Sequence, residues 1–171
     1  MKKRILIGIF IILVVVTITG CGKKEDKNKK DLIIEDSGYG KTVLKYKQDK
    51  DYEVKEEVGG KYKEIFVTSN SENFTMQLYH TDSTDVGYNT GKDNRKENVG
   101  FKEYTWNGLN GYIYNANKNG VSFNILLKTT DGRAKVLFGN IEPNDMKTAN
   151  VLELFESDDF QKMMSSITFS E

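Results

Sequence analysis

The first hydrophobic feature of the chain is an apolar run from Ile5 to Ile18, fourteen residues broken only by Gly8 and Thr17. A membrane-spanning helix needs about 20 such residues. The run has instead the length of the apolar core of a secretory signal, and Lys2-Lys3-Arg4 supply the positive segment that precedes one. Residues 22–31, Gly-Lys-Lys-Glu-Asp-Lys-Asn-Lys-Lys-Asp, carry no apolar side chain and predict a flexible tether.

Beyond the tether the pattern acquires a period of two. Thr42–Lys47, Tyr52–Val58, Lys63–Thr68 and Phe74–Tyr79 predict strands, with Gly59-Gly60 and Ser69–Asn73 as turns. Phe101–Trp106, Gly111–Asn115, Val121–Thr130 and Ala134–Asn140 predict four more. The dipeptides Asn107-Gly108, Asn110-Gly111, Asn119-Gly120 and Asp131-Gly132 tolerate the positive φ of tight hairpins, so an antiparallel meander follows. Val136-Leu137-Phe138 is apolar on both faces, as in a central strand covered on two sides.

The C-terminus changes to a period of 3.6. Val151, Leu152 and Phe155, then Phe160, Met163, Met164 and Ile167, predict helices over 145–155 and 158–165, the second capped by Ser157. Ile167-Thr168-Phe169 predicts a short last strand. The predicted architecture is α+β: an antiparallel sheet of about seven to nine strands with C-terminal helices packed on it. The predicted organisation is a signal over 1–20, a tether over 21–31 and one domain over 32–171.

Composition and charge narrow the functional classes. The chain has 25 basic and 25 acidic residues, but residues 1–20 hold three of the basic ones and no acid. From Cys21 onward 22 basic side chains face 25 acidic ones, a net of −3, which does not suit a nucleic-acid partner. A single cysteine excludes an intramolecular disulfide.

That cysteine closes the motif Ile18-Thr19-Gly20-Cys21. The motif resembles the lipobox of bacterial lipoproteins: an aliphatic residue, a small residue, Gly or Ala, then Cys. The resemblance implies cleavage between Gly20 and Cys21, acylation of the Cys21 thiol with palmitate-type chains, and a lipid anchor on the extracytoplasmic face of the cell membrane. Two or more acyl chains hold a protein stably, each buried methylene contributing about 0.8 kcal/mol.

Catalytic chemistry is sparse. His80 is the one histidine and the one available base for a serine triad, with Asp82 two residues on, at what reads as a solvent-facing strand end. No glycine-flanked serine elbow accompanies it. Neither a zinc ligand set nor a complete calcium loop is present, so no metal and no cofactor are expected. Gly38-Tyr39-Gly40-Lys41 lacks the spacing of a phosphate loop.

Residues 81–100 form a long polar excursion with Val86, Tyr88 and Val99 as the sizeable apolar side chains. Loops of this length in compact domains are functional or disordered. Tyr104, Trp106, Tyr112 and Tyr114 follow in the next hairpin and form the candidate binding surface, with ordinary sheet packing as the other reading. The order of strands, polar excursion, further strands and late helices resembles the PsbP/Mog1-like fold, whose members are typically binding or assembly factors. The sequence thus predicts a membrane-anchored, non-catalytic binding or assembly module with an envelope protein as partner. A hydrolase-type enzyme using carboxylates or His80, and a structural envelope protein, are the alternatives.

Overall fold

The computed structural model describes residues 28–36, 39–59, 62–115, 120–128, 134–145 and 150–171. The apolar run, the lipobox with Gly20 and Cys21, and the Asp131-Gly132 turn lie outside the described residues.

Among the described residues thirteen elements follow in chain order. The first five are β1 (Lys29–Asp36), β2 (Gly40–Lys47), β3 (Glu53–Gly59), β4 (Tyr62–Ser69) and β5 (Phe74–Ser83). Helix α1 (Asp85–Asp93) precedes β6 (Lys102–Trp106), β7 (Leu109–Asn115), β8 (Val121–Lys128) and β9 (Ala134–Pro143). Helices α2 (Val151–Glu156) and α3 (Asp158–Met164) lead into β10 (Thr168–Ser170). Seven strands form one sheet in the order β3-β4-β5-β9-β8-β7-β6, and three form another in the order β1-β2-β10. Every pairing is antiparallel, so the architecture is α+β, as the alternation predicts.

Three differences from the sequence reading have physical causes. Lys29–Asp31, expected in the tether, belong to β1. Pairing with β2 in continuous register, from Lys29 opposite Lys47 to Asp36 opposite Gly40, recruits polar residues that bury no side chain. The 81–100 excursion is not a loop. Strand β5 continues to Ser83 because β9 pairs with it as far as Ala134, and α1 starts two residues later. The first late helix is shorter than the 145–155 expected: Asn150 caps it by accepting from the Glu153 amide at 3.3 Å.

The main core lies between one face of the seven-stranded sheet, α2, α3 and the smaller sheet. Phe74, Phe123, Phe155, Phe160, Leu44, Ile65, Met76, Leu78, Ile113, Ile125 and Met164 are all within 2% of full burial there. Two glycines make room for rings. A Cβ on Gly139 would fall inside the ring of Phe123, its cross-strand partner, and one on Gly111 would lie 2.5 Å from the Trp106 ring. The opposite face of the same sheet holds a smaller cluster of Tyr88, Tyr112, Tyr114, Leu126, Ala134 and Val136, with Phe101 packed against it.

Candidate functional site

The four aromatic residues singled out in the hairpin do not form one exposed surface. Strands β6 and β7 pair with Trp106 opposite Leu109 and Tyr104 opposite Gly111. Alternation then sends Tyr104 and Trp106 to the main core side and Tyr112 and Tyr114 to the other. Trp106 is 2% exposed, stacks on Tyr104 at 4.8 Å between centroids, and donates its indole N–H to Gln161 Oε1 at 3.1 Å. Tyr112 and Tyr114 are 5% and 8% exposed. They are covered by Tyr88 of α1, centred 5.4 Å from Tyr112, and by the Arg95 guanidinium, 4.8 Å above the Tyr114 ring. The side chains expected to meet a partner are packing residues, because helix and turn from 85–100 fold over them.

His80 also differs from its expectation. It is fully buried, its Nε2 lies 2.8 Å from Thr42 Oγ1 of β2, and the Tyr39 and Phe169 rings pack around it at 6.3 and 6.5 Å. Asp82 accepts a hydrogen bond from the Tyr39 hydroxyl at 2.8 Å. This cluster links the two sheets and is not an open catalytic site.

What the 81–100 segment and the hairpin do form together is a groove. Thr84 caps α1 by accepting from the Gly87 amide at 2.9 Å, and Asp85 complements the helix dipole in the first turn. The chain then returns through the Asn98-to-Phe101 turn and is tied to β7 by Asn115 N donating to Val99 O at 2.9 Å. Tyr88 is the one fully buried residue of α1, and Gly91 also approaches the sheet, where a Cβ would lie 3.3 Å from the Tyr112 hydroxyl; beside this contact, toward β6, a gap remains. The gap has a volume of about 420 Å³ and is lined by Asp85, Tyr88, Asn89 and Lys92 of α1, Glu103, Tyr104 and Thr105 of β6, and Asn110, Gly111 and Leu126. A second depression of about 410 Å³ shares Asn110 and Leu126 and continues past Asn107 to Thr168 and Phe169.

The groove is polar, with fixed contacts. Lys92 Nζ lies 2.9 Å from Glu103 Oε2, joining helix and hairpin, and the Tyr88 hydroxyl donates to Asn110 O at 3.2 Å. Burial, reinforced by the neighbouring Tyr112 and Glu103, pushes the Tyr88 phenol well above its ordinary range. It therefore stays protonated and acts as a donor, not a base or nucleophile. Asn89, Thr105 and Asn110 add amide and hydroxyl groups at the rim. The arrangement can orient a polar ligand or a polypeptide segment. Among the described residues no group of three or more His, Cys, Asp or Glu side chains is placed to hold a metal ion.

Of the residues proposed from sequence, Tyr104 borders this groove, while its ring packs on Trp106 and Phe155 on the main core side. Asp85, Asn89, Lys92, Glu103 and Asn110 were not singled out. The length and polarity of 81–100 locate the region of Asp85, Asn89 and Lys92 but no side chain, and do not reach Glu103 or Asn110.

No protein-family model matches the chain, and no curated protein matches it. Among solved structures, the chain is similar in fold to LpqN of Mycobacterium tuberculosis, described as involved in cell envelope biogenesis. The similarity has a TM-score of 0.50 at 12% identity and covers 85% of this chain and 94% of that one. At that identity the likeness is one of fold.

Proposed function

We propose that this chain is a lipid-anchored, extracytoplasmic, non-catalytic binding module whose contact site is the groove between α1 and the β6–β7 hairpin. The observation that carries the reading is the groove itself. A nine-residue helix is held on the sheet by one buried tyrosine and one ion pair, leaving about 420 Å³ lined by polar groups. Such a site offers hydrogen bonds and charge to a partner, and its one strongly buried ionisable group, Tyr88, remains neutral. The Ile18-Thr19-Gly20-Cys21 motif supports the anchor, and the likeness in fold to a protein described as involved in envelope biogenesis agrees with an envelope role.

Photo-crosslinking in native membranes tests this. A crosslinkable residue at Asn89 is expected to capture one reproducible envelope protein, while the same group at the exposed Lys55 of β3 captures none. Glu103→Lys, which breaks the pair with Lys92 and reverses charge at the rim, should abolish capture without changing the thermal midpoint appreciably. Products independent of position, or unaffected by Glu103→Lys, overturn the site. The mass of the N-terminal peptide in the same samples reads the acylation of Cys21.

A further inference from the structure

Around Asn28 the surface gathers lysines. Asn28 and Lys29 border a depression of about 640 Å³ together with Lys47, Gln48 and Asp49. A neighbouring pocket of about 340 Å³ shares Lys29 and Lys47 and adds Lys45, Lys50, Lys162 and Asp159. Folding assembles these lysines from three places. The β1–β2 register sets Lys29 directly opposite Lys47, and the last turn of α3 contributes Lys162. Lys47 and Lys50 share Asp159, at 2.7 and 3.6 Å, and Lys50 also pairs with Glu72. Lys45 and Lys162 are exposed, and neither is ion-paired among the described residues. The concentration runs against the chain's own balance, which from Cys21 onward has more acids than bases.

Covalent geometry adds a second constraint. Seven residue steps separate Cys21 from Asn28, so whatever their conformation they span at most about 25 Å. A lipid on Cys21 keeps this face, and not the α1 groove by any comparable constraint, within that distance of a bilayer.

We infer that the lysine-lined pocket beside Asn28 seats on the anionic phospholipid headgroups of the membrane that holds the anchor, turning the domain to a fixed orientation. The inference rests on the lipid-anchor reading. Each lysine close to an anionic surface strengthens association about fivefold, and the effect is confined to roughly a Debye length. With Lys29, Lys45, Lys47 and Lys162 on the bilayer, the domain stays upright on its tether.

The acylated mature protein, purified from membranes, is added to phosphatidylcholine vesicles and to vesicles containing phosphatidylglycerol. Flotation with both reads the anchor alone. Hydrogen exchange reads the orientation: the anionic vesicles should slow exchange over 28–36, 45–52 and 161–166 relative to the neutral ones, and salt of about 1 M should erase the difference. Lys45→Glu with Lys162→Glu should reduce that slowing about tenfold or more, with flotation and thermal midpoint unchanged. Equal exchange on both vesicle types, or slowing that survives the double substitution, overturns the headgroup seat while the anchor stands. Failure to float with neutral vesicles overturns the anchor and the orientation with it.

Discussion

The two faces of the seven-stranded sheet are built differently. Toward α2, α3 and the small sheet, the face is closed by large apolar side chains meeting ring to ring: Phe155 lies within 6.0 Å, between centroids, of Tyr104, Trp106, Phe123 and Phe160. Toward α1, the face buries a cluster in which three of six residues are tyrosines, and the covering helix inserts only Tyr88. The first face needs dense packing and tolerates no gap. The second is closed by tyrosine rings, of which Tyr88 reaches Asn110 O with its hydroxyl, and polar groups and open space coexist beside the helix. The contrast separates a face that holds the fold from a face that presents a site.

Truncation should read this contrast most strongly. Phe155→Ala removes a ring with four aromatic neighbours and is expected to lower global stability by about 3–5 kcal/mol. Urea unfolding would show it as a shifted midpoint. Tyr88→Ala removes the anchor of α1 and is expected to cost about 1–3 kcal/mol, with hydrogen exchange accelerated first over 85–100 and later elsewhere. Equal global losses, or exchange that rises uniformly in both variants, would show that the α1 layer is part of one indivisible core.

The same contrast decides what the sequence could reveal. Strands β4, β5, β8 and β9 alternate β-branched, aromatic and polar residues, and Asn107-Gly108 adopts the positive φ values, 48° and 81°, that its type announces. The late helices were visible because Phe155, Phe160, Met163 and Met164 repeat with helical period on the core side. Strand β1 was hidden because, among its described side chains, Leu32 and Ile34 alone are buried and its first three residues are Lys-Lys-Asp. Helix α1, Asp-Val-Gly-Tyr-Asn-Thr-Gly-Lys-Asp, was hidden for the reason it forms a groove: two glycines, little helix propensity and one buried residue leave no apolar stripe to read. The aromatic cluster misled because proximity in sequence is not proximity in space. A two-residue turn after Trp106 already places Tyr104 and Tyr112 on opposite faces.

A smaller substitution probes how independently the second layer is held. Thr84→Ala deletes the side chain that accepts from Gly87 N, and loss of such a cap costs about 1 kcal/mol. Because α1 has one buried side chain, most of this should appear as local opening: exchange over 85–93 rising several-fold while the urea midpoint moves little. A midpoint shift as large as that of Tyr88→Ala would mean that α1 and the sheet unfold together.

The smallest expected effect lies far from α1, where the β4–β5 turn is fastened. Asp51 accepts from Ser69 Oγ at 2.6 Å, and from Ser71 N and Ser71 Oγ at 2.9 Å each. The Ser69 bond first, then the two from Ser71, hold its carboxyl down to about 2, below the value of about 3.9 for an unfolded chain. A carboxyl depressed on folding contributes stability that is complete above the unfolded value and is lost as pH falls toward the folded one. Asp51→Asn should therefore be less stable than the parent at neutral pH, and the difference should narrow between about pH 4 and about pH 2. Urea midpoints measured through that window test it. Because the group is exposed, solvent screening keeps the change small. Tyr88→Ala, acting on the other face, should leave the acid limb of the profile unmoved, and a shift of that limb would join the two regions that the packing separates.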